Sequence, residues 1–142
     1  MPVKNRKHKL NNQKVKELIS YWFTTSEHSY KTMLGLFDIK RYSDSLFFGH
    51  IVLEKILKAC AVKQTREQAP YTHDLLQLSE LANIDLLNKE IDLLDKMNDF
   101  NIRARYPDFK FKFYKKYNNK KYVKKYLEDA VKLYKKLCQG IK

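Results

Sequence analysis

Phe100-Asn101-Ile102-Arg103-Ala104-Arg105-Tyr106-Pro107-Asp108 closes a strongly amphipathic segment. Before it, Leu87, Ile91, Leu94, Met97 and Phe100 recur at helical spacing, which predicts a helix over Leu86–Arg103 with those residues inward. Tyr106-Pro107 stops it, because a residue before proline is pushed out of the α region. Working backwards, Asp74–Ala82 reads as a short helix opened by Thr72 or His73, with Asp74 favourable near its N-terminus. Gln64–Tyr71 is a polar loop ending at Pro70. Tyr42–Val62 reads as a helix with Leu46, Leu53, Leu57, Cys60 and Ala61 as its buried stripe. Gly49 in mid-stripe implies close helix–helix approach, since glycine there costs about 1 kcal/mol relative to alanine. Asn11–Leu36 is a further long helix, with Val15, Leu18, Ile19, Trp22, Tyr30, Met33 and Leu34 at helical spacing.

Beyond Asp108, residues 109–118 read as a Lys/aromatic loop. The alternation in Phe109-Lys110-Phe111-Lys112-Phe113 also resembles a short strand with its phenylalanines packed on the bundle. The last helix, Asn119–Leu137, turns Val123, Tyr126, Leu127, Ala130, Tyr134 and Leu137 inward. The expected fold is all-α: one domain of 142 residues, an antiparallel four-helix bundle with an additional short helix. Met1–Leu10 reads as a basic flexible arm. Only three Gly and three Pro leave little room for the turns of an all-β fold.

Charge is uneven. Residues 1–16 hold six basic and no acidic residues, and 109–142 hold 12 Lys and two acids, while 17–108 is slightly acidic. Concentrated positive charge attracts polyanions through counterion release; a Lys-rich solvated surface explains the same numbers. No apolar run approaches a membrane span, and the basic N-terminus leads into no apolar signal region. Cys60 and Cys138 lack metal-ligand spacing and read as reduced core thiols, so the expected location is cytoplasmic, with no metal and no cofactor.

Four constellations carry candidate chemistry. His50, Glu54 and Lys58 are spaced by four and share one side of a helix. Thr72-His73-Asp74-Leu75 looks like a helix start, with His73 available to a carbonyl or a carboxylate. Arg103 and Arg105 end the penultimate long helix, where they can hold a phosphate or form ion pairs with Asp108. Tyr106 can stack a base or pack on the last helix. Lys110, Lys112, Lys115 and Lys116 alternate with aromatics, a pattern that suits single-stranded RNA.

The ordered trio of Glu54-Lys55-Ile56-Leu57-Lys58-Ala59, Thr72-His73-Asp74-Leu75 and Ala104-Arg105-Tyr106-Pro107 resembles the HEPN family, small all-helical domains that bind or cut RNA or bind nucleotides. The three match its "EKxxKA", "tHDL" and "ARYP" patterns, the last typical of non-toxin-type members. The resemblance covers about Val15 to Leu137. It implies that Glu54 orients a basic residue from a facing helix, with His50 joining that network. Family ribonucleases resemble one another in an Arg followed, after four to six residues, by a His. No histidine follows Arg103 or Arg105 here. Arg66 and His73 have that spacing but straddle Pro70 in a loop, the wrong context.

The resemblance therefore implies a noncatalytic module. It would engage RNA or nucleotide through Glu54, Lys58, Arg103, Arg105, Tyr106 and the four lysines at 110, 112, 115 and 116. The implied assembly is a homodimer that also meets a protein partner, a minimal nucleotidyltransferase in a toxin–antitoxin-type pair. Two alternatives stay open: a metal-independent endoribonuclease using His50 or His73 with Arg103 or Arg105, and a scaffold that binds only protein.

Overall fold

The structure is a computed structural model that describes residues 9–141; for Pro107 and Asp108 it describes the backbone only. Most of the expected arm, residues 1–8, lies outside the described residues. The elements are all helical: α1 Asn12–Asp38, α2 Tyr42–Thr65, α3 Leu75–Leu81, α4 Asn88–Arg105, α5 Pro107–Lys116 and α6 Lys120–Ile141. No strand occurs among the described residues.

Residue pairs fix the direction of each helix. Ser45 Oγ donates to the Met33 carbonyl, Lys55 Nζ to Ser29 Oγ, and Leu10 N to the Arg66 carbonyl, so α1 and α2 run antiparallel. Phe100 of α4 meets Tyr126 of α6, and Glu90 meets Lys136, so α4 and α6 also run antiparallel. Phe47 of α2 lies at Arg105 of α4 and Gly49 at Met97, so these two are antiparallel as well, and the four long helices alternate up and down. Asn11 caps α1 by accepting from Lys14 N, and Asn12 also receives the Arg66 side chain. Arg66 ends α2 in the left-handed region at φ 59°. That placement removes the Arg66–His73 match as a working pair.

α2 is the central element and packs against α1, α3, α4 and α6. Leu46, Leu53, Ile56, Leu57 and Ala59 are all fully buried. A helix covered on several sides has no single apolar stripe, so burial exceeds what the sequence stripe suggested. Gly49 marks the tightest approach: a Cβ there would lie 2.6 Å from Met97 Cε, with Met33 and Leu127 close behind.

Several expectations are corrected. Residues 109–118 are neither loop nor strand: residues 107–116 form α5, with Pro107 in its first turn, a position where proline loses no hydrogen bond. Tyr106-Pro107 thus ends one helix and starts the next. The alternating phenylalanines are not all packed. Phe113 and Tyr117, four apart, are buried against Phe100 at 6.1 and 4.8 Å, while Phe109 and Phe111 face solvent. On α4 the buried face is Leu93, Leu94, Met97, Phe100 and Asn101, and Leu87 and Ile91 are exposed. The helix starts at Asn88, which leaves Leu87 as its cap residue. On α1, Leu34 is exposed, and Ser26 and Ser29 occupy the buried line instead. Ser26 Oγ meets Tyr134 Oη of α6 at 3.0 Å, so small hydroxyls let a tyrosine in. On α6, Leu133 is buried and Tyr126 only partly so. The short helix α3 opens at Leu75, capped by Asp74 rather than by Thr72 or His73.

Candidate functional site

Glu54 is the hub. It lies on the α2 face turned toward the segment before α3, with its side chain 13% exposed. One carboxylate oxygen, Oε2, accepts from Lys58 Nζ at 3.1 Å. The other, Oε1, accepts from His73 Nδ1 at 2.9 Å. Burial raises the Glu54 carboxyl, but the hydrogen bonds from His73 and Lys58 and the Lys58 charge together outweigh it and hold the group below the usual carboxylate range. The Lys58 stem is buried and its ammonium sits 5.0 Å over the Trp22 ring, a cation–π contact that helps offset its desolvation.

His50 lies one turn back on α2 and is fully buried. Its Nε2 donates to the carbonyl of His73 at 2.8 Å, which fixes the tautomer, since a carbonyl can only accept. Nδ1 is then the unprotonated nitrogen, buried without a hydrogen-bond partner and 3.8 Å from Glu54 Oε1. Burial pulls this imidazole down to about 4; Glu54 and the backbone bond restore only part of the loss. His50 therefore holds the His73 backbone while Glu54 holds its ring.

The His73 ring is exposed and lines a cleft of about 350 Å³ with Asp74, Asn98, Asn101, Ile102, Arg105 and Tyr106. Local hydrogen bonds shape this cleft. Asp74 Oδ1 caps α3 by accepting from Leu76 N and Gln77 N, and also accepts from Asn98 Nδ2. Asn98 Oδ1 in turn accepts from Leu75 N at 2.9 Å. Arg105 Nε donates to the buried Asn101 Oδ1 at 2.8 Å, and the guanidinium lies 5.4 Å from the Phe47 ring centroid. No carboxylate pairs with Arg105 among the described residues.

The structure thus brings together Glu54, His50, His73, Lys58, Arg105 and Tyr106. It separates Arg103, whose Nε pairs with Asp99 one turn back at 2.8 Å, away from the cleft. Ion pairing to Asp108 falls on a side chain outside the described set. Lys110, Lys112, Lys115 and Lys116 are exposed on α5. Sequence reasoning missed Asn98 and Asn101. Their one visible signal was their place, seven and four residues before Arg105 respectively, on the same side of α4.

The HEPN domain model matches residues 19–141, most of the chain. This protein belongs to the HEPN family. Among curated proteins and among solved structures, nothing matches the chain. The HEPN bundle here is all-helical, and no helix among the described residues is long and apolar enough to cross a membrane.

Proposed function

We propose that this HEPN protein is a noncatalytic module that binds RNA or a nucleotide at the cleft between α4 and the segment before α3. The observation that carries the reading is the convergence of His73, Arg105 and Tyr106 on one cleft. Arg105 offers a planar fork of donors to a phosphate. His73 offers a ring nitrogen beside it, and the exposed Tyr106 a face for a base. Glu54 and Lys58 act behind this surface by fixing His73, not by touching the ligand. The proposal includes a homodimer, and a minimal nucleotidyltransferase as the protein partner in a toxin–antitoxin-type pair; family resemblance supports both.

The noncatalytic assignment rests on what the helix end lacks. No histidine follows Arg105, and His50 is sealed in the core with Nε2 committed to a backbone carbonyl. Arginine stays protonated and cannot take the missing role.

One observation favours the endoribonuclease reading. A carboxylate holding Nδ1 of an exposed imidazole is how a general base is oriented, and Arg105 shares the cleft. The deciding experiment is a time course on unstructured RNA in chelator, beside an equilibrium binding assay. Binding without cleavage, weakened by Arg105→Gln, is the expected result. Rapid cleavage abolished by His73→Ala in a folded protein would replace the reading with the ribonuclease. Stable capture of a nucleotidyltransferase with no nucleotide or RNA binding would leave the scaffold.

A further inference from the structure

α5 carries more exposed aromatic surface than its packing explains. Phe113 and Tyr117 clamp it to Phe100, so its apolar requirement is met by its inner side. Yet Phe109 is 45% exposed, Phe111 68% and Tyr114 37%. The lysines stand among these rings. Lys115 Nζ lies 4.6 Å over the Phe111 ring and Lys110 Nζ 5.7 Å over Tyr114. Residues 109–127 contain eight lysines and no acidic residue. At its head, Tyr106 belongs both to α5 as its cap and to the cleft described above. At its far end a second groove of about 480 Å³ is lined by Asn119, Lys121, Tyr122, Lys125 and Tyr126.

We propose that the side of α5 carrying Phe111 and Tyr114 is a stacking ridge for an unpaired nucleic-acid strand, running from the Tyr106 end of the cleft toward the groove at Tyr122. This rests on the cleft reading and extends it from one phosphorylated unit to a polymer. The rings take bases and the lysines take phosphates, the combination that holds single strands without reading sequence. An unpaired strand is required, because a duplex hides its base faces.

Two other occupants fit less well. A membrane-surface helix needs one continuous apolar face opposite its lysines. Here Phe109 and Phe111 stand about 160° apart around the axis, with lysines between them, and the continuous apolar face is already buried. A protein interface core is depleted in lysine, whereas this surface is dominated by it.

The test is fluorescence anisotropy with a labelled 12-nucleotide oligo(U), the same length of RNA duplex, and a labelled mononucleotide. The proteins are the wild type, Phe111→Ser/Tyr114→Ser, Lys110→Gln/Lys115→Gln and Arg105→Gln. All ridge changes are at exposed positions, and circular dichroism checks that the helices persist. The expected result is that the aromatic pair loses about tenfold or more in oligo(U) affinity while keeping mononucleotide affinity. The Lys pair should lower the salt slope by roughly 1.4, about 0.7 per phosphate contact. Wild type should prefer oligo(U) to duplex. Ridge variants that bind oligo(U) like the wild type, while Arg105→Gln weakens it, overturn the ridge and leave the cleft reading standing. Mononucleotide binding without oligo(U) binding has the same meaning. Wild type that binds neither oligo(U) nor the mononucleotide overturns both. A dimer that dissociates on the aromatic changes with unchanged oligo(U) affinity assigns the ridge to a second copy and overturns the proposal.

Discussion

Glu54 Oε1 accepts from His73 Nδ1 at 2.9 Å, which ties α2 to the segment that opens α3. The same carboxylate faces the buried ammonium of Lys58. Removing its charge leaves Lys58 desolvated, with the Trp22 ring but no counter-charge beside it. Glu54→Gln should therefore destabilise the fold by roughly 3 kcal/mol, toward the low end for breaking a buried pair because Glu54 keeps some solvent access. Adding Lys58→Met should recover much of that loss. Urea denaturation of the two single variants and the double variant measures the coupling. Strictly additive losses would show that the pair is not coupled.

His50 makes the protein acid-labile. Burial pulls its imidazole in the native state down to about 4, against the ordinary 6.5 of a free imidazole. The unfolded chain therefore binds more protons, and stability falls as pH falls. The contribution is fully present above 6.5 and is lost between 6.5 and about 4, roughly 3 kcal/mol in all. Glu54, with its lowered native value, adds a further loss below 4.5. Intrinsic fluorescence of Trp22, the one tryptophan of the sequence, follows unfolding. His50→Gln should flatten the stability curve between pH 6.5 and 4.5, at the cost of lower stability at neutral pH. An unchanged slope would place the acid sensitivity elsewhere.

The network was partly legible before the fold. Spacing of four puts His50, Glu54 and Lys58 on one side of α2, and the helix start at Thr72-His73-Asp74 leaves His73 open to a carbonyl or a carboxylate; its ring takes a carboxylate. What spacing cannot show is which long-range partner arrives. Arg103 and Arg105 looked equivalent in sequence, yet two residues along a helix is about 160° around it, so they face different surroundings. Helix existence was legible from periodicity, and Gly49 announced its close approach. Residues 107–116 misled because Phe109, Phe113 and Tyr117 satisfy helical spacing while Phe109, Phe111 and Phe113 satisfy strand alternation. Packing on Phe100 selects the helix, and that contact is not in the local sequence.

The reassigned segment gives a stability test. Phe113 is 2% exposed and packs on Phe100 and Tyr117, so Phe113→Ala should cost about 3–5 kcal/mol. Phe111 is 68% exposed, so Phe111→Ala should stay within about 0.5 kcal/mol. A short strand with all its phenylalanines packed would make the two costs similar. Denaturant midpoints of the two variants decide between these arrangements.

The arginines give the sharpest functional contrast. Arg105 is aimed into the cleft by Asn101 and has no carboxylate partner among the described residues, whereas Arg103 is held by Asp99 on an exposed face. A charged donor to phosphate is worth about 1.5–3 kcal/mol, and an exposed ion pair about 0–1. Arg105→Gln should therefore weaken nucleotide or RNA binding at least tenfold, while Arg103→Gln should change it less than threefold. Arg105→Lys should recover only part of the loss, because an ammonium cannot present the planar fork. Asn101→Ala should weaken binding less than Arg105→Gln, through loss of aim and not of charge. Isothermal titration at fixed salt resolves all four variants. Equal losses for Arg103→Gln and Arg105→Gln would mean that general surface charge, not this cleft, attracts the ligand.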